Sequence, residues 1–151
     1  MQFLKAILSL LLLCVTFFSY SQSSEAYFTQ HPTLSPDADF IIFSYDSDLW
    51  KVATDGGDAQ RLTAMQGNET NPSISPDGKW VAFSSNQFGN SDVYLMPIKG
   101  GTIKQLTFHD SNDKVSSWNW DNSKIYFTSG RYNNITTYSV NIDGGTPERV
   151  F

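Results

Sequence analysis

Cysteine is almost missing from this chain: Cys14 is the sole cysteine of 151 residues, and it lies inside an apolar run near the start. Nothing after it can form a disulfide within the chain or do thiol chemistry. Histidine is nearly as scarce, with His31 and His109 alone. A serine–histidine–aspartate centre would need one of the two beside a strained serine turn, and no Gly-x-Ser-x-Gly is present. After Phe18 no apolar run approaches the roughly 20 residues that a membrane helix requires. Basic residues are outnumbered, ten against fifteen acidic, for a formal net charge of −5. That balance argues against nucleic acid and against an anionic membrane surface as partners. Helical spacing of apolar residues is also absent beyond residue 22.

The opening stretch reads as an export signal over residues 1–21. Lys5 supplies the positive start, and Ala6 to Phe18 is an apolar run of signal length, short for a membrane span. Ser19 and Ser21 are small residues where cleavage needs them, which places the cut before Gln22. An uncleaved anchor is the alternative; the flank that follows is small and polar rather than basic, which favours cleavage. Leu13 before Cys14 fits a lipoprotein signal poorly. The first 21 residues carry one of the ten basic residues and none of the acidic ones, so the remainder is more acidic still. The product is expected outside the cytoplasm, periplasmic or extracellular, with no membrane contact once the signal is gone.

What the chain does have is a repeat. Asn71-Pro72-Ser73-Ile74-Ser75-Pro76-Asp77-Gly78-Lys79-Trp80-Val81-Ala82-Phe83-Ser84 is a strand, a turn and a second strand. An earlier copy runs from His31 through Ser35-Pro36-Asp37 to Ser44, and a worn one from Val115 through Asp121-Asn122 to Thr128. Ser-Pro-Asp-Gly suits a type I turn: serine accepts from the backbone, proline presets φ and glycine frees the exit. The first copy has Ala38 in place of the glycine, and the third keeps aspartate with asparagine. Each unit continues into a third strand (Asp48 to Val52, Asp92 to Met96, Thr136 to Val140) and a glycine pair: Gly56-Gly57, Gly100-Gly101, Gly144-Gly145. The pairs recur every 44 residues and suit a hairpin that needs positive φ. A closing strand follows, near Gln60 to Thr63, Lys104 to Thr107 and Glu148 to Phe151.

Four strands per unit at a period in the low forties is the pattern of β-propeller blades. The expected fold is all-β: a leader at 22–30, then three four-stranded antiparallel blades at 31–69, 70–113 and 114–151. The second strands are apolar on both faces, as a sheet stacked between neighbours requires. Closed propellers typically have about four to eight blades. Three blades leave two apolar faces bare, so the expectation is an N-terminal piece of a larger propeller. Closure by self-association into a homo-oligomer is the alternative. The loops between second and third strands are the variable ones, with Asn86, Gly89 and Asn90 in one and Arg131, Asn133 and Asn134 in another, at the end where propellers place function.

No stretch of the sequence carries a cofactor signature. There is no Walker A loop and no dinucleotide fingerprint. Residues 109–113 (His-Asp-Ser-Asn-Asp) hold oxygen ligands but lack the ladder and closing glutamate of a calcium loop, so they read as a solvated linker and no metal is expected. Both histidines read as loop residues. Asp46 and Asp48 read as hairpin residues, and Asp37, Asp77 and Asp121 as turn residues. Trp50, Tyr94 and Tyr138 share one repeat position and read as packing between blades. Trp120 replaces the turn proline and is the candidate for a surface contact. No residue of this chain is expected to be catalytic.

Pro-x-x-Ser-Pro-Asp-Gly-Lys-x-x-Ala-Phe, followed by Asp-Val-Tyr and by Gly-Gly-x-x-x-x-Leu-Thr, resembles the WD40-like repeat of TolB, prolyl-oligopeptidase relatives and tricorn-type proteases. A signal followed at once by Tyr27-Phe28-Thr29-Gln30-His31-Pro32-Thr33-Leu34-Ser35-Pro36-Asp37, with Asp48-Leu49-Trp50-Lys51-Val52 and Gln105-Leu106-Thr107-Phe108-His109, resembles the amino-terminal propeller of exported tricorn-like serine proteases. The resemblance covers about Tyr27 to Phe151. It implies a propeller that admits or binds peptides or proteins, with the remaining blades, a PDZ-like domain and a serine-protease core further along the parent chain. A TolB-like binding propeller without catalysis is the alternative. TolB-like proteins carry a separate α/β domain before the blades, whereas here the blades start just after the signal.

Overall fold

The computed structural model describes residues 29–150; the predicted signal and most of the predicted leader lie outside them. The described chain folds as three four-stranded antiparallel meanders. The first contains β1 (Gln30–Leu34), β2 (Phe40–Tyr45), β3 (Asp48–Ala53) and β4 (Gln60–Arg61). The second contains β5 (Glu69–Ile74), β6 (Trp80–Ser85), β7 (Asp92–Pro97) and β8 (Lys104–Gln105). The third contains β9 (Asp113–Trp118), β10 (Lys124–Ser129), β11 (Thr136–Asn141) and β12 (Glu148–Arg149). One 3-10 turn, Arg131–Asn133, is the helical element among the described residues.

Alternation along the strands decides how the sheets stack. In β6, Val81 and Phe83 point one way and Ala82 the other, as successive residues of a strand must. Val81 and Phe83, with Tyr94 and Met96, meet Ile42 and Leu49 of the first sheet. Ala82, with Val93, Leu95 and Leu106, meets Val115, Ile125, Phe127, Tyr138 and Val140 of the third. The middle sheet is therefore apolar on both faces, and β7 is buried from Asp92 to Met96. Tyr94 and Tyr138 stack on Phe83 and Phe127 at 5.8 and 5.9 Å between centroids. Trp50, at the same repeat position in the first sheet, instead meets Tyr45 edge-on. Trp118 pins third blade to second by donating Nε1–H to Ser73 O at 2.9 Å.

The repeat turns share one hydrogen-bond pattern. Ser35 and Ser75 each donate to the following aspartate (2.5 and 2.7 Å) and accept from the backbone N–H of Phe40 and Trp80. In the third blade Asn119 does both jobs, donating Nδ2–H to Asp121 and accepting from Lys124 N–H. The hydroxyls of Ser35, Ser75 and Ser123 are the main cause holding the carboxyls of Asp37, Asp77 and Asp121 below the usual range.

The fourth turn position is left-handed in every copy: φ is 62° at Ala38, 69° at Gly78 and 64° at Asn122. Asn122 tolerates this conformation, and its side chain accepts from Asp77 N–H in the neighbouring turn. Ala38 carries a Cβ with no such compensation. Relieving it costs some unfolded-chain entropy, so Ala38→Gly should raise the unfolding free energy by about 0.5–1 kcal/mol. A urea midpoint at or below that of the parent would contradict this.

The closing strands are shorter than expected, two residues each. In the first two blades the physical reason is that the next threonine leaves the ladder. Leu62 N–H still reaches Leu49 O, but Leu49 N–H donates to the Thr63 hydroxyl at 2.8 Å. Leu106, Val93 and Thr107 repeat the arrangement in the second blade. A side chain thus replaces a main-chain partner and frees the strand to turn into the next blade.

Candidate functional site

A meander places the loops between second and third strands on the same edge as the links from each closing strand to the next blade. Residues 46–47, 86–91 and 130–135 therefore share an edge with residues 62–68 and 106–112. Backbone bonds tie the two sets together: Glu69 N–H to Ser47 O, and Asp113 N–H to Ser91 O. Asn86 accepts from Asn68 N–H, and Asn90 donates to His109 O. Gly67 approaches the neighbouring loop so closely that a Cβ would lie 2.7 Å from Gln87 N.

Beneath this face lie two polar junctions, built from positions 44 residues apart in the repeat. At the first, Asp48, Thr63, Glu69 and Ser85 are all buried. Glu69 accepts from Ser85 at 3.0 Å and meets the Thr63 hydroxyl at 3.1 Å. Arg61 pairs with Asp48 at 2.5 Å. The second junction repeats these positions as Asp92, Thr107, Asp113 and Ser129. Gln105 replaces Arg61 and bonds Asp92 at 3.1 Å. The missing guanidinium returns from another strand: Arg131, at the repeat position of Gln87, pairs with Asp113 at 2.5 Å and donates to Ser129. Each junction thus contains two acids and one arginine, supplied from opposite sides. Burial pushes the Glu69 and Asp92 carboxyls up and also raises the Tyr94 phenol.

Asp48 and Asp113 are corrections to the sequence reading. Asp46 is the exposed turn residue at φ 49°. Asp48 begins β3 and is buried. Asp113 begins β9 and is fully buried, not part of a solvated linker. His31 is exposed at φ 51°, in the bulge that lets Pro32 sit in β1 without a ladder N–H. Asn71 and Pro72 form the same bulge in β5. His109 is exposed, and its Nδ1 accepts from Ser111 N–H. Among the described residues no three His, Cys, Asp or Glu side chains gather as a metal site would need.

The repeat glycines 56, 57, 100, 101, 144 and 145 all have positive φ at the opposite edge, between third and fourth strands. Trp120 is also at that edge and is 94% exposed. The loop edge carries four large exposed apolar side chains: Phe88, Phe108, Tyr132 and Ile135. A cavity of about 410 Å³ opens there, lined by Asp110, Ser111, Asn112, Lys114 and Ile135 with residues 128–130. A smaller one of about 260 Å³ touches Phe108, His109 and Arg131. Tyr132 is left-handed at φ 58°, a strained position for a bulky residue. The larger cavity thus combines an apolar rim with small polar groups, and has both a cation, Lys114, and an anion, Asp110, in its lining.

Four-stranded sheets stacked face to face, with the loops between second and third strands gathered at one edge, define the blades of a β-propeller. The family described as the tricorn protease N-terminal beta propeller domain matches residues 26–151, and the chain belongs to that family. Among curated proteins it is 40% identical over 50 residues to a protein TolB homolog of Chlorobium luteolum, covering 33% of this chain and 12% of that protein. The crystal structure of TolB from Acinetobacter baumannii superimposes with a TM-score of 0.68 at 24% identity, over 82% of this chain and 32% of that one. The crystal structure of the tricorn protease gives a TM-score of 0.62 at 13% identity, over 80% of this chain and 14% of that one. The chain therefore spans about a third of the TolB chain and a much smaller part of the protease.

Proposed function

We propose that these blades belong to an exported tricorn-like serine protease and that they admit or hold its peptide substrates, the peptide-bond chemistry residing in other domains of the parent protein. The observation that carries the reading is the family match over residues 26–151. Export rests on the signal-like start, Lys5 followed by Ala6 to Phe18 and a small polar flank. The loop edge supplies the contact surface, with Ile135 lining the cavity of about 410 Å³ and Phe108 the one of about 260 Å³.

Peptide hydrolysis by the full protein tests the role of that surface. Phe108→Ser with Ile135→Ser should raise KM for peptides and leave kcat unchanged, because the contact is made equally in ground and transition states. An unchanged KM would exclude this edge from substrate binding. A second reading, a protein-binding propeller without catalysis, is favoured by the local likeness to the TolB homolog. It predicts no hydrolysis and stable capture of a protein partner.

A further inference from the structure

Hydrogen bonding at the first junction does not balance with both of its carboxylates ionised. Thr63 Oγ1 receives Leu49 N–H at 2.8 Å and lies 3.1 Å from Glu69 Oε2 and 3.3 Å from Asp48 Oδ1. A hydroxyl has one hydrogen to give. If both acids are ionised, one carboxylate oxygen faces a hydroxyl lone pair where water is excluded: Glu69 is 0% exposed and Thr63 3%. The guanidinium of Arg61 sits on Asp48 Oδ2, not on Glu69. The second junction differs on both counts. Asp113, at the position of Glu69, has its own arginine, and the Thr107 hydroxyl donates to Asp92 at 3.0 Å.

We propose that Glu69 keeps its proton in the folded protein beyond the pH at which an ordinary glutamate ionises, and that this proton fastens the first blade to the second in a pH-sensitive staple. Glu69 Oε2–H donates to Thr63 Oγ1, and the Thr63 hydrogen goes on to Asp48 Oδ1. The Thr63 oxygen uses its two lone pairs for Glu69 and Leu49 N–H, and Glu69 Oε1 accepts from Ser85. Every contact is then satisfied. The charged and titratable groups facing Glu69 are Asp48 of β3, Arg61 of β4 through Asp48, and Tyr94 of β7. Burial is the leading cause raising the Glu69 carboxyl and Asp48 adds to it, while the Ser85 and Thr63 hydroxyls oppose it.

The sign follows from linkage. A carboxyl raised by folding contributes stability that is complete below the ordinary carboxylate range and is lost as pH rises through its folded value. This is opposite to the turn aspartates, whose lowered values make their contribution fade as pH falls.

Carbon-13 titration of glutamate carboxyls in the intact protein, with Glu69 identified as the resonance absent from Glu69→Gln, tests this. The expected result is that this resonance titrates at least about one pH unit above an ordinary glutamate, a tenfold weaker acid. Glutamates that all titrate together in the ordinary range would overturn the proposal, and the wild-type spectrum alone decides this should the variant fold poorly. Glu69→Gln, which mimics the neutral acid, should also remove the loss of thermal midpoint between mildly acidic and alkaline pH. A wild-type midpoint that tracks the variant across that interval would equally contradict the staple.

Discussion

Arg131→Met is expected to lower the unfolding free energy by about 3–5 kcal/mol, the usual cost of breaking a buried ion pair from one side. Arg131 is 8% exposed and Asp113 0%, so neither charge can turn to water when the other is removed. Asp113 Oδ2 holds the guanidinium at 2.5 Å, while Oδ1 has no partner among the described residues. Without the arginine the carboxylate would be buried with both oxygens poorly served. The guanidinium also lies over the rings of Phe127 and Tyr138, at 5.4 and 5.2 Å from their centroids, so it is packed as well as paired. Lysine would keep the charge but lose the planar contact. Removing both partners, in Arg131→Met with Asp113→Leu, should recover most of the loss, since the desolvation cost disappears with the pair. Urea unfolding of the single and double variants checks this; a single-variant loss below about 1 kcal/mol would place the pair among weak surface bridges.

Phe83→Ala is expected to cost about 3–5 kcal/mol, the range for emptying a filled aromatic site in a core. Phe83 is 0% exposed. It points from the middle sheet to the first, stacks on Tyr94, and shares its cluster with Ile42 and Leu49. The cavity would open between blades rather than inside one. Hydrogen exchange should therefore quicken in β1 to β4 more than in β9 to β12. Phe88→Ala, on the loop edge and 71% exposed, should stay within about 0.5 kcal/mol of the parent. Uniform acceleration across all three sheets after Phe83→Ala would mean that the blades unfold as one unit.

Local turn chemistry and two-residue alternation were strong enough in the sequence to give the three meanders and the faces they bury. Ser75-Pro76-Asp77-Gly78 and the glycine pairs identify themselves because each is a local device, complete within a few residues. Asn119 is a less legible stand-in for serine, although it offers the same donor and acceptor. The junction acids are less legible, because Asp48 stands two positions from Asp46 in a hairpin and has the sequence setting of a turn residue. Its burial arises only when Thr63 and Glu69 of the adjoining link fold over it. The exchange of Arg61 and Gln87 for Gln105 and Arg131 is visible as four residues in the repeat. Its meaning needs the geometry that brings positions on different strands to one buried pair of acids. The loop edge is the least legible part. Phe88 and Tyr132 share a repeat position, but Phe108 and Ile135 align with Ala64 and Ser91, and only the shared edge of the meanders gathers all four.

The central claim is that these blades serve a serine protease, and active-site labelling tests it most directly. An antiserum to residues 29–150 would capture the native protein from the exported fraction of producing cells, and the captured protein would be treated with a fluorophosphonate probe specific for activated serines. The account predicts a labelled polypeptide longer than 151 residues. A captured polypeptide that resists the probe while binding a protein partner would contradict it, and the TolB-like reading would stand in its place.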